Sequence, residues 1–320
     1  MKAVVYTKYG PPEVLAIKEV KKPTPRDDEV LIRVYATTIN RTDCGFRSAK
    51  YFVSRLVTGL IKPRKTIAGS EFAGKVVEVG ADVIDFKLGD KVFGFEDVRS
   101  GAHAEYMSEA ASGSITKMPD GFSYQEMAPA SEGATYALNV IKAAGIKKGQ
   151  KVLVYGASGA IGSAAVQILK HLDTEVTAIC GTGNLKLVKS LGVDKVISFE
   201  KEDFTQIDDK FDFVFDAVGK SSYGACKKLL SPKGKYCSTE LGPHGQNPLL
   251  AIWFAMTGSR KVIFPIPKIN KENVEYIKHL VESGAYKPVI DRIYLIDEIV
   301  EAAKYVETGQ KIGNVVIKIA

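Results

Sequence analysis

The sequence predicts an α/β protein: a doubly wound parallel sheet joined to a β-barrel domain. Three observations carry that expectation. A short apolar run, Val152-Leu153-Val154-Tyr155, leads into the turn Gly156-Ala157-Ser158-Gly159-Ala160-Ile161-Gly162. Beyond it, strand-like and helix-like segments alternate, as βαβ units with helices on both faces of a sheet require. Before about residue 126 the texture is instead β, with Val-, Ile-, Thr- and Tyr-rich runs separated by Pro and Gly.

In chain order, residues 2–6, 16–20, 29–38 and 75–79 read as strands, and Pro11-Pro12, Pro23-Thr24-Pro25, Gly80 and Gly89-Asp90 read as turns. Their irregular spacing favours a compact barrel over a repeat array. A helix holding Ala134, Ala137, Leu138 and Ile141 leads to the turn Lys147-Lys148-Gly149-Gln150 and the central strand. Ile161, Ala164, Ala165, Ile168, Leu169 and Leu172 then recur at helical spacing. Strands at 176–180, 196–197, 211–215 and 235–239 alternate with helices at 184–191 and 221–230, and 261–264 is expected to extend the sheet. Pro265-Ile266-Pro267 marks an exit. A helix at about 271–283, a strand near 293–294, a helix at 296–308 and a strand at 314–319 form a tail expected to return to the first domain.

Strand, glycine turn and helix together give a glycine pattern meaning as a phosphate site. Gly156 permits the tight turn, Gly159 lets a pyrophosphate approach the backbone, and Gly162 lets helix and strand pack closely. The helix N-terminus offers free N–H groups and a positive dipole end. Two residues, Ala157 and Ser158, separate the first two glycines where G-x-G-x-x-G has one, and a purely structural turn is the competing reading.

A length of 320 residues suggests about two domains, and 45% hydrophobic with 25% charged residues is ordinary for a globular protein. Residues 1–6 enter a strand without a basic-then-apolar leader, and the apolar run 249–256 is too short to span a bilayer. A cytoplasmic protein with no membrane span is expected. Cys44, Cys180, Cys226 and Cys237 are scattered, without a C-x-x-C pair. The net charge of +7 comes in small local groups with no basic helix or aromatic-interleaved stripe. That argues against nucleic acid and for a solvated surface or attraction for a phosphorylated cofactor.

Several segments carry a family resemblance. Ala68-Gly69-Ser70-Glu71-Phe72-Ala73-Gly74 resembles P-G-x-[DE]-x-A-G, with Ala68 where proline is usual, and Leu88-Gly89-Asp90-Lys91-Val92 resembles a G-D-x-V turn. Gly101-Ala102-His103-Ala104-Glu105-Tyr106 resembles G-[AG]-x-A-E-Y, Gly133-Ala134-Thr135 a G-x-T, and Asp216-Ala217-Val218-Gly219 a D-x-V-G loop. As a set these resemble the medium-chain dehydrogenase/reductase superfamily over essentially the whole chain. The nearest branch is the zinc-independent quinone oxidoreductases, the zeta-crystallin-like and enone-reductase proteins. The resemblance implies a GroES-like β-barrel domain at 1–125, completed by 268–320, and a Rossmann cofactor domain at 126–267.

The zinc alcohol dehydrogenases of that superfamily present a cysteine early in the barrel and a histidine in a G-H-E segment. Asn40 and Ser70 stand at those positions here. A neutral amide and a hydroxyl cannot replace thiolate and imidazole on zinc, so no catalytic metal is expected. Without a Lewis acid, oxidation of an unactivated alcohol loses its alkoxide stabilisation. Reduction of a quinone or an α,β-unsaturated carbonyl needs only hydrogen-bond donors for the developing oxyanion.

NAD sites usually place an acid at the end of the second strand. The corresponding stretch, residues 179–186, carries no carboxylate but has Thr182, Asn184 and Lys186, which resemble the branch's 2′-phosphate group. NADPH is therefore expected, with NADH as the weaker cofactor; Gly183 stands where related chains often have a basic residue, and Lys186 facing solvent is the competing reading. Gly156, Ser158, Gly159, Ala160 and Ile161 of the turn, Ala217, Val218 and Gly219 of the D-x-V-G loop, and Thr135 complete the implied cofactor set.

For the reacting centre, Asn40 and Asp43 occupy the branch's N-x-x-D positions, and Tyr51 lies near a cleft tyrosine of some relatives. Each has a plainer reading. Asn40 is either a donor to a substrate oxygen or a buried structural amide. Asp43 either faces the site or holds a backbone turn or pairs with Arg47, and Tyr51-Phe52 is either a cleft element or an apolar lid. His103 is assigned a surface or supporting role. The expected function is reduction of quinones, enones or 2-alkenals by direct hydride transfer, with a nicotinamide-binding protein of little turnover as the rival. Residues 40–66 and 241–260 are the expected acceptor pocket. Leu249, Leu250, Ile252, Trp253 and Phe254 suggest either a small hydrophobic conjugated acceptor or the contact of a homodimer.

Overall fold

The computed structural model describes the chain except residues 50–54, 57, 98–100 and 320. Its first part runs β1 (Lys2–Val5), β2 (Ala16–Glu19), β3 (Glu29–Thr38), α1 (Arg41–Ser48), β4 (Glu71–Val79), β5 (Lys91–Phe95), β6 (Tyr106–Ala110), β7 (Ile115–Lys117) and α2 (Tyr124–Met127). Next come α3 (Glu132–Ala144), β8 (Lys151–Tyr155), α4 (Ala160–His171), β9 (Glu175–Cys180), α5 (Leu185–Ser190), β10 (Lys195–Ser198) and β11 (Phe211–Asp216). The remainder is α6 (Tyr223–Cys226), β12 (Leu230–Ser238), α7 (Gln246–Met256), α8 (Lys271–Glu282), β13 (Ile290–Leu295), α9 (Ile299–Glu307) and β14 (Asn314–Lys318).

Two compact units result. One holds Met1–Glu132, Ile269–Glu282 and Pro288–Ala320, and the other Gly133–Lys268 with Ser283–Lys287. In the first, strands follow the order β13-β14-β3-β4-β5-β7, with β6 also on β3 and with β1 and β2 as a separate pair. Strand β3 is the hub: β4 lines one side, while β6 pairs with residues 29–33 and β14 with residues 36–38. Val30, Ile32 and Val34 alternate along β3 and pack with Phe72, Val76, Val92 and Ile115. Val315 and Ile317 of β14 pack instead with Ile299, Ala302, Ala303 and Val306 of α9. Fully burying such aliphatic side chains stabilises by roughly 1.5–3 kcal/mol each.

The second unit is a five-stranded parallel sheet in the order β10-β9-β8-β11-β12. Val152, Leu153 and Val154 of β8 are fully buried, as a central strand covered on both faces demands. The chain passes from β8 to β9 on one side and later to β11 on the other, so the strand order reverses around β8 and β11. Helix α4 starts at Gly159 in extended conformation and buries Ala164, Ala165, Ile168 and Leu169 completely.

Two expected elements differ. Residues 261–264 form no strand of the sheet; Val262 makes a single parallel bridge to Tyr236, and Pro265 and Pro267, which lack the N–H a ladder needs, follow at once. The expected 221–230 helix is one turn, α6, capped by Ser222 Oγ on Ala225 N–H, and then a 3-10 turn, because Leu230 already pairs with Phe211. Helix α7 turns Leu250, Ala251 and Phe254 onto the sheet's core and leaves Leu249, Ile252, Trp253 and Met256 exposed.

Candidate active site

The first unit contains a buried polar nest at the foot of α1. Glu71, wholly buried, accepts from Ser131 N–H (3.0 Å) and Glu132 N–H (2.5 Å) on Oε1, and from Thr38 Oγ1 (2.7 Å) on Oε2. Asn40 Nδ2 donates to Glu71 Oε2 (3.1 Å), to Glu132 Oε2 (2.8 Å) and to Thr38 Oγ1 (3.2 Å), and Thr42 donates to Glu132 Oε1. Asp43 accepts from Asn40 N–H (2.8 Å) and from Ser70 Oγ (3.1 Å), so it closes the first turn of α1. Arg47, one of the partners considered for Asp43, goes elsewhere, to the Gly10 carbonyl and Glu307.

His103 is buried and not at the surface, with Nε2 2.7 Å from the Thr38 carbonyl. The tight loop makes room for it: Gly69 stands at φ +94°, and a Cβ there would run into the His103 ring.

Burial sets the protonation of this nest. Desolvation lifts the Glu71 carboxyl to about 7, in spite of its donors. Glu132 is pushed well above the carboxylate range, first by burial and then by the Glu71 and Asp43 charges. Asp43 is also raised by burial, opposed by His103 and the Asn40 N–H. The partly buried Lys311 amine falls to about 8 because burial outweighs the pull of Glu132 and Glu71. Both N–H bonds of the Asn40 amide are spent on neighbouring side chains, its buried Oδ1 has no hydrogen-bond partner among the described residues, and Asp43 closes the α1 turn. Tyr51 lies outside the described residues.

The second unit assembles the cofactor candidates at the carboxyl ends of β8, β9 and β11. Gly156 stands at φ +83°, and a Cβ there would fall 2.5 Å from Val218 Cγ1 of the D-x-V-G loop. The turn after β8 and the loop after β11 therefore touch. A Cβ on Gly162 would strike the Gly156 carbonyl, whereas one on Gly159 would meet nothing closer than 3.5 Å. Ala160 and Ile161 open α4, and Ser158 Oγ lies 3.5 Å from Asn184 Nδ2. Thr182 Oγ1 shares a 2.7 Å hydrogen bond with Ser198 Oγ, and Lys186 is exposed. Thr135 is buried, and among the described residues its Oγ1 makes no hydrogen bond.

Asp216, the acid that opens the D-x-V-G stretch, organises the loop after β11. Its carboxylate gathers the N–H groups of Val218 (3.1 Å), Gly219 (2.8 Å), Lys220 (3.3 Å) and Ser221 (2.8 Å), so it builds the loop carrying Ala217, Val218 and Gly219. An acid one residue before a loop of small residues was the available signal. The segment directly after β9 carries no carboxylate of its own, but one reaches it from a neighbouring strand. Glu200, from the segment after β10, brings its Oε1 to 3.0 Å from where a Gly181 Cβ would be. Parallel pairing of Cys180 with Ser198 puts the two strand ends side by side.

Among the described residues, no group of three or more His, Cys, Asp or Glu is disposed to hold a metal ion. No helix among them is long and apolar enough to cross a membrane.

Comparison with known proteins agrees with this architecture. The alcohol dehydrogenase GroES-like domain family matches residues 26–139, and the zinc-binding dehydrogenase family matches residues 191–317. The chain is 32% identical to a 2-methylene-furan-3-one reductase of Solanum lycopersicum, over 99% of this chain and 79% of that protein. It is 29% identical to an NADPH-dependent alkenal/one oxidoreductase, chloroplastic, of Arabidopsis thaliana, over 99% and 79%. The solved quinone oxidoreductase from Coxiella burnetii superposes with a TM-score of 0.89 at 27% identity, covering 100% of this chain and 99% of that one. A parallel sheet reversing at β8 and β11, a barrel unit, and relatives that match 99% or more of this chain lead to one assignment: the chain is an oxidoreductase and belongs to the medium-chain dehydrogenase/reductase superfamily, in its zinc-independent quinone oxidoreductase branch.

Proposed function

We propose that this chain is a reductase that transfers a hydride from NADPH, or less readily NADH, to a small hydrophobic quinone or α,β-unsaturated carbonyl such as an enone or 2-alkenal. The observation that carries the reading is the junction of the Gly156 turn and the Val218 loop where the strand order reverses. In open α/β sheets the crevice outside such a reversal is where ligands bind. Gly159 leaves backbone space for a pyrophosphate at the start of α4, and the unpartnered Thr135 Oγ1 is a buried polar atom fit for a ligand donor. The nicotinamide would supply the hydride; the protein's part is to position it and exclude water.

In this reading the second unit holds the cofactor through Gly156, Ser158, Gly159, Ala160, Ile161, Thr135, Ala217, Val218 and Gly219. Thr182, Asn184 and Lys186 face the adenosine ribose. Asn40 and Asp43 serve as positioning residues. The names of the Solanum and Arabidopsis relatives support the conjugated-carbonyl class, and the Coxiella structure supports quinones. The exposed α7 side chains Leu249, Ile252, Trp253 and Met256 support a homodimer, which light scattering of the purified chain would check.

The test is oxidation of NADPH and of NADH, followed by loss of reduced-nicotinamide absorbance, with a benzoquinone, an ortho-quinone, a 2-alkenal, a cyclic enone and a simple ketone. NADPH turnover confined to conjugated acceptors is expected. Silence with every acceptor, despite measurable NADPH binding, would overturn the reading.

A further inference from the structure

Glu200 belongs to none of the motifs above, yet it stands beside the adenosine end of the proposed cofactor site. Register puts it there. Ser198 of β10 pairs with Cys180 of β9, so the residues just past Ser198 flank those just past Cys180. Glu200 Oε1 is accordingly 3.0 Å from the Cβ position of Gly181, and a side chain at 181 would displace it. Its backbone N–H donates to Ser198 Oγ (3.3 Å), which in turn bonds Thr182 Oγ1 (2.7 Å). Thr182, Ser198 and Glu200 thus form one chain of contacts at the end of β9, with Asn184 and Lys186 in the turn that follows.

We propose that Glu200 is a specificity-determining residue that sets the balance between NADPH and NADH. The inference rests on the nicotinamide reading above and deepens it. An acid in this place normally comes from the end of the second strand itself, where it accepts from the ribose hydroxyls. Here Gly181 and Thr182 occupy that end, and the acid reaches it from the neighbouring strand. A 2′-phosphate attracted by Lys186 and by the Thr182 and Asn184 side chains meets a like charge in Glu200, whereas the ribose of NADH meets a hydrogen-bond acceptor. Glu200 therefore holds down the preference for NADPH. Gly181 preserves the arrangement by leaving the carboxylate room.

Binding, not turnover, is the direct test, read by nicotinamide fluorescence for NADPH and NADH and by competition with 2′,5′-ADP and 5′-ADP. Removing the charge with Glu200→Gln should tighten NADPH and 2′,5′-ADP roughly five- to tenfold at low salt, an amount that like charges at solvent-exposed separations can supply. The gain should shrink as ionic strength rises, because exposed charges are screened. NADH and 5′-ADP should stay within about twofold or weaken, since the amide keeps the shape and loses only the charge. A second variant, Gly181→Ala, displaces the carboxylate without deleting it and should shift the ratio the same way. Native protein that binds both nicotinamides while Glu200→Gln leaves their affinity ratio unchanged overturns the role of Glu200 and spares the cofactor reading. Native protein that binds neither overturns both.

Discussion

The nest around Glu71 in the first unit and the glycine turn after β8 in the second are both built from polar groups, but they spend them in opposite ways. In the nest each carboxylate is met by several donors, and Asn40 joins two of them. The nest's carboxyl groups are enclosed by donors and its hydrogen bonds hold a backbone turn in place, while Asn40 Oδ1 and His103 Nδ1 stay without a partner among the described residues. In the second unit, Gly159 of the glycine turn presents open space, and Thr135 of α3 keeps a hydroxyl without a partner among the described residues. The two regions therefore differ in how crowded their polar groups are: donors converge on the carboxyl groups of the first, and backbone lies open in the second. Converging donors hold a scaffold in place, whereas open backbone beside a helix start leaves room for a ligand.

The sharpest break of this contrast lies within the glycine turn itself. Gly162→Val would drive side-chain atoms into the Gly156 carbonyl and should cost more than about 3 kcal/mol, read as loss of soluble, cooperatively melting protein. Gly159→Val should fold with little change in melting temperature and lose NADPH binding; unchanged affinity would remove Gly159 from the phosphate site.

Next in size is Asn40→Ala. It strips donors from Glu71 and Glu132 together, and leaving buried acceptors unmet should destabilise by about 2–4 kcal/mol. If Asn40 instead acted on substrate, activity would collapse with the melting temperature unmoved.

Glu132→Gln probes the same nest more gently, because the amide can still accept from Asn40 and can donate to Thr42. A carboxyl raised by folding adds stability that is complete below its ordinary value near 4.5 and is lost as pH climbs through the higher folded-state value. The variant lacks that loss. Its melting temperature relative to native protein should therefore rise from pH 5 toward alkaline pH, by a few degrees at about 2–4 °C per kcal/mol. A difference constant with pH would refute a raised Glu132. Lys311 works in the opposite sense: its amine, lowered to about 8, contributes stability above its ordinary value near 10.5 that is lost as pH falls through about 8.

The smallest effect belongs to Lys186→Ala. Removing an exposed cation should raise KM for NADPH roughly threefold, more than for NADH, with no change in melting temperature. Equal effects on the two cofactors would take Lys186 out of the site.

What the sequence reveals follows from how local each feature is. Residues 152–162 carry their fold in adjacent positions, a β-branched run, glycines and helical periodicity, and were legible at once. The surroundings of Asn40 were not: its carboxylate partners lie 31 and 92 residues away along the chain. Its two readings, substrate donor or structural amide, differ only in those partners. Glu200 was missed for a related reason. The residues that directly follow β9 hold no acid, and the carboxylate arrives through the pairing of β9 with β10. The bridge at Val262 shows the converse, a β-like run that two prolines keep from joining the ladder.

The threading of the first unit bears on how the protein is made. Thr37 and Thr38 of β3 pair with Ile317 and Val316 of β14, so one side of the hub strand waits for a partner almost the whole chain away. The second unit is complete by Lys287, before β14 has emerged from the ribosome. Synthesis therefore lets the later unit finish first, while the earlier one keeps an open strand edge to the end. Such an edge is a template for pairing with another chain. A chain cut before Asn314 should still form the parallel sheet and should aggregate through the unfinished barrel.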